Sequence, residues 1–201
     1  MLLQSPLHTV TSSLDADVLQ VLAGAEVPFT TTRLAELTGR SVPGVRLVLR
    51  RLVDQGVVVT VGAGRSHSYT LNREHLAAGP IIALASLREA LIERLRERIA
   101  TWGTPPVYAA LFGSGARGQM TDTSDIDLFL VRPRGASERF DDDVHALAQQ
   151  ATAWTGNPVH PLVMRLDEIS GAKSAEPVLA DIAEHGLAVF GEASAFRKVI
   201  R

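Results

Sequence analysis

The chain has 201 residues, 46% apolar and 21% charged, with a formal net charge of −2 and no cysteine. That length suits one large domain or two small ones of about 100 residues each, and the missing cysteines exclude a disulfide framework, a thiolate zinc site and a cysteine nucleophile. There is no global basic field to announce nucleic acid, no apolar run near the ~20 residues that span a bilayer, and no basic-then-apolar leader; a cytoplasmic location without a membrane partner is the expectation.

Among the 20 cationic residues only Lys173 and Lys198 are lysines. An arginine bias this general makes arginine position informative and arginine number uninformative.

In chain order, Leu14 to Leu22 reads as a helix that ends near Gly24. Thr30, Thr31 and Thr32 offer caps to a short helix that stops at Gly39. Ser41 is a natural N-cap, and Pro43 lies in the first turn, where proline is tolerated. The helix that follows runs to about Gln55, with Val45, Val48, Leu49, Leu52 and Val53 on one face, and Gly56 stops it. Val57 to Val61 is β-branched and strand-like. Gly62 to Arg65 reads as a tight turn, and Ser66 to Leu71 as the returning strand. Helix, helix-turn-helix and hairpin in this order predict a winged helix over residues 1–78.

In such a domain the second helix of the pair enters the major groove and the hairpin lies along the backbone. Candidate DNA contacts are Ser41, Pro43 and Gly44 at the helix amino end, Arg46, Arg50 and Arg51 on its outward side, Thr31 on the preceding helix, and Arg65 and His67 on the wing. Arginine suits guanine edges and phosphates. The pattern resembles the MarR- and ArsR-like winged helices of prokaryotic regulators, which implies double-stranded DNA as partner and a homodimer on a near-palindrome.

Gly79-Pro80 reads as a break. Leu84, Leu87, Leu91, Leu95 and Ile99 then recur at three- and four-residue steps, predicting one amphipathic connecting helix over 79–103.

Residues 104–201 alternate strands and helices, an α/β or α+β pattern. Strands are predicted at Val107–Phe112, Ile126–Val131, Pro158–Arg165 and Leu187–Phe190, with helices at Arg139–Trp154 and Glu176–Glu184. The sharpest feature is Leu111 to Val131. Gly113 and Gly115 allow positive φ and a close backbone approach to a ligand. Ser114 adds a hydroxyl, and the turn into a helix start presents N–H groups to an anion. Arg117 can add a charge-assisted contact to phosphate. Asp125 and Asp127, two apart at a strand start, point to one face. Two carboxylates so placed repel each other and suit Mg²⁺ or Mn²⁺. A phosphate cradle beside a dicarboxylate is equipment for metal-assisted nucleotidyl transfer.

Gly113-Ser114, Arg117-Gly118 and Ser124-Asp125-Ile126-Asp127 resemble the motif of the DNA polymerase β-type nucleotidyltransferase superfamily. The nearest branch is the small stand-alone nucleotidyltransferases, which include antitoxin-like and aminoglycoside-modifying proteins. The resemblance implies a nucleotidyltransferase fold over 104–201, a nucleoside triphosphate held by Gly113, Ser114, Gly115, Arg117 and Ser124, and metal ions on a catalytic pair, Asp125 and Asp127. It also implies a third carboxylate on a neighbouring strand. The candidate strand, 157–164, has none: His160 stands near that position, and Asp167 and Glu168 come after the strand.

On these grounds the expected function is a DNA-binding transcriptional regulator whose second domain binds a metal–nucleotide with weak or lost catalysis. The alternatives are an active nucleotidyltransferase acting on a protein, RNA or small molecule, and an antitoxin-like protein with a toxin partner.

Overall fold

The computed structural model describes residues 1–63, 66–171 and 177–200. They form two compact units, Ser5–Arg88 and Met1–Gln4 with Glu89–Arg201.

In the Ser5–Arg88 unit, a 3₁₀ turn (Pro6–Thr9) leads into α1 (Leu14–Ala23), β1 (Phe29–Thr30), α2 (Thr31–Thr38), α3 (Val42–Asp54), β2 (Val58–Ala63), β3 (Ser66–Leu71) and α4 (Ala78–Ala85). The sheet order is β1-β3-β2, antiparallel throughout. This is a winged-helix-like arrangement. Its helix boundaries follow local chemistry: Thr30 Oγ1 accepts from Arg33 N at 3.2 Å, Ser41 Oγ accepts from Gly44 N at 3.3 Å, and Gly39 closes α2 in the left-handed conformation. α3 buries Val45, Val48, Leu49 and Leu52 against Leu22 of α1 and Leu34 of α2; full burial of one such side chain contributes about 1.5–3 kcal/mol.

Two expectations change here. Thr30, read as a helix cap, also joins Phe29 in the third strand of the sheet, where the two pair with Ser68 and Tyr69. Gly79-Pro80 does not break the chain but lies in the first turn of α4, where a proline has no intrahelical hydrogen bond to lose.

The stretch predicted as one connecting helix is therefore two. Ala78 and Ala85 of α4 belong to the core of the Ser5–Arg88 unit. α5 (Leu87–Ala100) puts Leu91, Leu95 and Ile99 into the core of the other unit, and Arg96 Nε donates to Val189 O at 3.0 Å.

The second unit continues with β4 (Tyr108–Phe112), α6 (Gly113–Arg117), β5 (Ile126–Arg132), α7 (Arg139–Thr155), β6 (Val159–Arg165), α8 (Leu166–Gly171), α9 (Pro177–His185), β7 (Leu187–Phe190) and α10 (Ala193–Val199). Its sheet order is β6-β5-β4-β7; β5 and β6 run parallel, and the other pairs are antiparallel. β4 and β5 are nearly continuous apolar runs because both sheet faces are covered. Ala109, Leu111, Leu128 and Leu130 pack with α5 and α7; Tyr108, Ala110, Phe129 and Val131 pack with Ile169, Leu179, Ile182 and Phe196. The amino-terminal residues join the first of these layers: Leu3 is 1% exposed, and Gln4 Nε2 donates to Met120 O at 2.9 Å.

Candidate nucleotide site and candidate nucleic-acid face

β5 begins where the acidic pair lies. Strand alternation puts Asp127 on the face of Phe129 and Val131, opposite Phe112 of β4 and level with His160 of the parallel β6. His160 Nε2 lies 3.2 Å from Asp125 Oδ2. The structure thus brings both predicted aspartates and the unexpected histidine to one place. Burial pushes the Asp127 carboxyl above its ordinary range; His160 and Arg117 oppose the shift and the charge of Asp125 adds to it. A partly desolvated carboxylate beside a second one gains from a cation.

Gly113 follows β4 directly and has φ +67°. A Cβ on it would overlap Asp127 Oδ2, so only glycine lets the turn lie against the carboxylate. Ser114 is half-buried, and its hydroxyl has no partner among the described residues, which leaves it free to donate to a ligand.

The other predicted cradle residues each have a contact within the chain. Gly115 is buried, and a Cβ there would lie 3.2 Å from Leu3 Cδ1; its small size serves packing. Arg117 Nη1 is 2.7 Å from Asp181 Oδ1 on α9, so its guanidinium is already engaged. Ser124 Oγ accepts from Thr121 N at 2.8 Å, and its carbonyl accepts from Asn157 Nδ2 at 2.9 Å. It ties the aspartate-bearing loop to the start of β6.

Asn157 and Asp181 went unnoticed in the sequence. A lone asparagine before a strand and a lone acid on an amphipathic helix carry no local signal; tertiary contact alone gives them roles. Asp167 and Glu168, after β6, remain with Arg165: Arg165 Nε is 3.1 Å from Asp167 Oδ1, and Arg165 N donates to Glu168 Oε2 at 2.7 Å.

Among the described residues, no group of three or more His, Asp or Glu side chains is assembled to hold a metal ion. The donor chemistry nevertheless fits a magnesium-type ion in part. Such an ion takes one or two protein carboxylates and completes its sphere with nucleotide phosphates and water. Asp125 and Asp127 could supply the two.

In the winged-helix-like unit, Pro43, Arg46, Leu47 and Arg50 are exposed on α3, with Leu47 70% exposed. Arg46 and Arg50 have no ion-pair partner among the described residues. Arg51 does: it pairs with Asp15 of α1 and donates to Gln55 Oε1 at 3.2 Å, which fixes α3 on α1. Gly44 is likewise a packing residue, since a Cβ there would lie 3.1 Å from Leu14 Cδ2. Ser41 is exposed, with its hydroxyl on Gly44 N; Thr31 opens α2 half-buried; His67 is exposed on β3. Arg65 lies outside the described residues.

Residues 89–173 match the family model described as nucleotidyltransferase domain. This part of the chain is a nucleotidyltransferase-like domain. The match runs from α5 through β6 into the segment after it, and so contains the whole Gly113 to Asp127 stretch and His160.

No curated protein matches the chain. Solved structures that are similar to parts of it include a toxin–antitoxin with AMP-PNP (18% identity, 56% of this chain and 80% of that one, TM-score 0.39). A toxin–antitoxin MntA–HpeT mutant is similar too (17% identity, 56% and 79%, TM-score 0.37). So is TrmBL2, an archaeal chromatin protein described with a novel mode of DNA binding (16% identity, 90% and 77%, TM-score 0.30). Scores this low carry no argument about fold or function. No helix among the described residues is long and apolar enough to cross a membrane.

Proposed function

We propose that the chain is a metal-dependent nucleotidyltransferase that moves a nucleoside monophosphate from a triphosphate to a hydroxyl on a protein, RNA or small molecule. The observation that carries this reading is the convergence of Asp125, Asp127 and His160 beside the Gly113-Ser114 turn, within the stretch that matches the nucleotidyltransferase family. The regulator with weak or lost catalysis, favoured by the missing third acid, becomes the second reading.

Asp125 and Asp127 would hold Mg²⁺ or Mn²⁺, and when bound the ion neutralises developing charge on the transferring phosphoryl group. Ser114 would donate to a phosphate oxygen, and Gly113 keeps the turn close to the carboxylates. The acceptor oxygen forms a bond to the α-phosphorus, the bond to the β,γ-diphosphate breaks and pyrophosphate leaves. The acceptor proton must go to a base. His160, level with Asp127, would take it as a general base.

The test is label transfer from an α-phosphate-labelled triphosphate with Mg²⁺ or Mn²⁺, offered all four nucleotides with protein, RNA and small-molecule acceptors. Label that appears in wild type and disappears in Asp125→Ala supports the proposal. Silence across all nucleotides and acceptors contradicts it.

A second reading rests on a separate observation, the exposed Arg46 and Arg50 on α3, which have no ion-pair partner among the described residues. It is a DNA-binding regulator, dimeric on a near-palindrome, that senses a metal–nucleotide. Double-stranded DNA then binds with a strong salt dependence. No retarded band with any genomic fragment, the protein's own promoter included, would overturn it.

A further inference from the structure

β5, which carries the acidic pair at its start, and its parallel neighbour β6 hold a basic cleft at their ends. β5 and β6 are parallel, and Arg132 is level with Arg165 at the last position of both. Between them the loop after β5 and the start of α8 enclose a cleft of about 370 Å³, lined by Arg132, Pro133, Arg134, Arg165, Leu166 and Asp167. Asp127 lies five residues before Arg132, roughly 17 Å along the strand, so the cleft is separate from the acidic site.

Its three arginines are not equivalent. Arg132 is locked: Nη1 binds both oxygens of Asp141 at 2.8 and 2.9 Å, and Nη2 donates to the carbonyls of Ala136 and Ser137 at 3.3 and 3.0 Å. It shapes the loop and has little left to offer. Arg165 is about two-thirds exposed; its guanidinium pairs with Asp167, itself half exposed, and the charge of Glu168 also acts on it. Arg134 is exposed and, among the described residues, has no hydrogen-bond or ion-pair partner, although its charge acts on Asp167. The cleft thus presents, among the described residues, one guanidinium without a direct partner and one weakly held one, above Pro133 and Leu166. Two guanidinium forks suit phosphate oxygens, which they can bind bidentately. The volume is that of a small-molecule pocket, of the order of 300–1,000 Å³.

We propose that this cleft binds a small phosphorylated molecule, a nucleotide or a polyphosphate, with Arg134 and Arg165 on the phosphates and Asp167 as an internal competitor for Arg165. The site is independent of the transferase reading, because it uses neither aspartate of the acidic pair.

The experiment is calorimetry on the full chain in EDTA, which removes the metal the acidic pair would need. The probes are inorganic pyrophosphate, AMP, ATP and a short DNA duplex. The expected result is saturable binding of pyrophosphate and ATP that weakens about tenfold or more in Arg134→Ser and in Arg165→Ser. It is unchanged in Asp125→Asn and tightens in Asp167→Asn. The last variant matters because a fold defect would not improve binding. AMP binding tighter than pyrophosphate assigns the Pro133–Leu166 floor to the base; the reverse assigns the site to polyphosphate. The proposal is overturned if no probe binds at millimolar concentration, or if binding survives both arginine variants. It is equally overturned if only the duplex depends on Arg134, which would make the cleft a nucleic-acid backbone contact.

Discussion

Gly113 and Asp127 are in contact such that no side chain fits between them: a Cβ on Gly113 would overlap Asp127 Oδ2, and the glycine has φ +67°. The Gly113-Ser114 turn and the Asp127 carboxylate are therefore built as one piece. Gly113→Ala carries two penalties, a left-handed conformation costing about 1–2 kcal/mol and displacement of Asp127. The expected outcome is a lower Tm together with a metal–nucleotide affinity reduced about tenfold or more. Thermal unfolding and calorimetry on the same sample check both. An affinity drop without a Tm drop would show that the overlap is relieved elsewhere.

His160 separates binding from transfer. If it accepts the acceptor proton, His160→Ala lowers the transfer rate about 10²-fold or more, the lower end of what a positioned base contributes. It leaves metal–nucleotide affinity within about threefold. His160→Asp, which puts a carboxylate level with Asp127, recovers part of the rate. Steady-state rates beside calorimetric affinities decide. Equal loss of both in His160→Ala would make the histidine a binding residue only.

These two residues also show what was legible in the sequence. Gly113, Ser114, Asp125 and Asp127 could be read because glycine, hydroxyl and carboxylates at fixed spacing between apolar strands carry their own chemistry. The contacts of Gly115, Arg117 and Ser124 could not, because each meets a partner far along the chain: Leu3, Asp181 and Asn157. The helical stripe of α3 was plain from periodicity, and β4 and β5 from their apolar runs. β1 was not: it has two residues and exists only through its pairing with β3. α8 and α10 are too short for a periodic signal, and the Leu84–Ile99 stripe hid a boundary because both halves are apolar.

On α3, Arg46 and Arg50 have no ion-pair partner among the described residues, whereas Arg51 is tied to Asp15. Arg46→Ala and Arg50→Ala should each weaken DNA binding by about 1–3 kcal/mol where they meet base edges, or flatten the salt dependence by about one unit of slope where they meet phosphate. Arg51→Ala should leave affinity nearly unchanged and lower stability instead. Gel retardation over a salt series, with denaturation midpoints, distinguishes these roles. A larger affinity loss in Arg51→Ala than in Arg50→Ala would reverse the assignment.

Tyr108 is 2% exposed and stacks on Phe196 with ring centroids 4.6 Å apart. Burial raises its phenol above the ordinary value, with Arg197 opposing. Above about pH 10 the unfolded chain loses this proton while the folded chain keeps it. The folded state then binds more protons, so this contribution is full below pH 10 and is lost as pH climbs through the raised value. Urea midpoints at about pH 9 and about pH 11 should fall more steeply in wild type than in Tyr108→Phe. Equal slopes would contradict this.

The claim on which the rest depends is that Asp125 and Asp127 hold a metal–nucleotide against the Gly113-Ser114 turn. Calorimetric titration of the full chain with ATP in Mn²⁺, compared with the Asp125→Asn and Asp127→Asn variants at matched folding, tests it most directly. The account predicts a metal-dependent binding event in wild type that either substitution abolishes. Metal-dependent binding that survives both substitutions, or no binding in wild type, would contradict it.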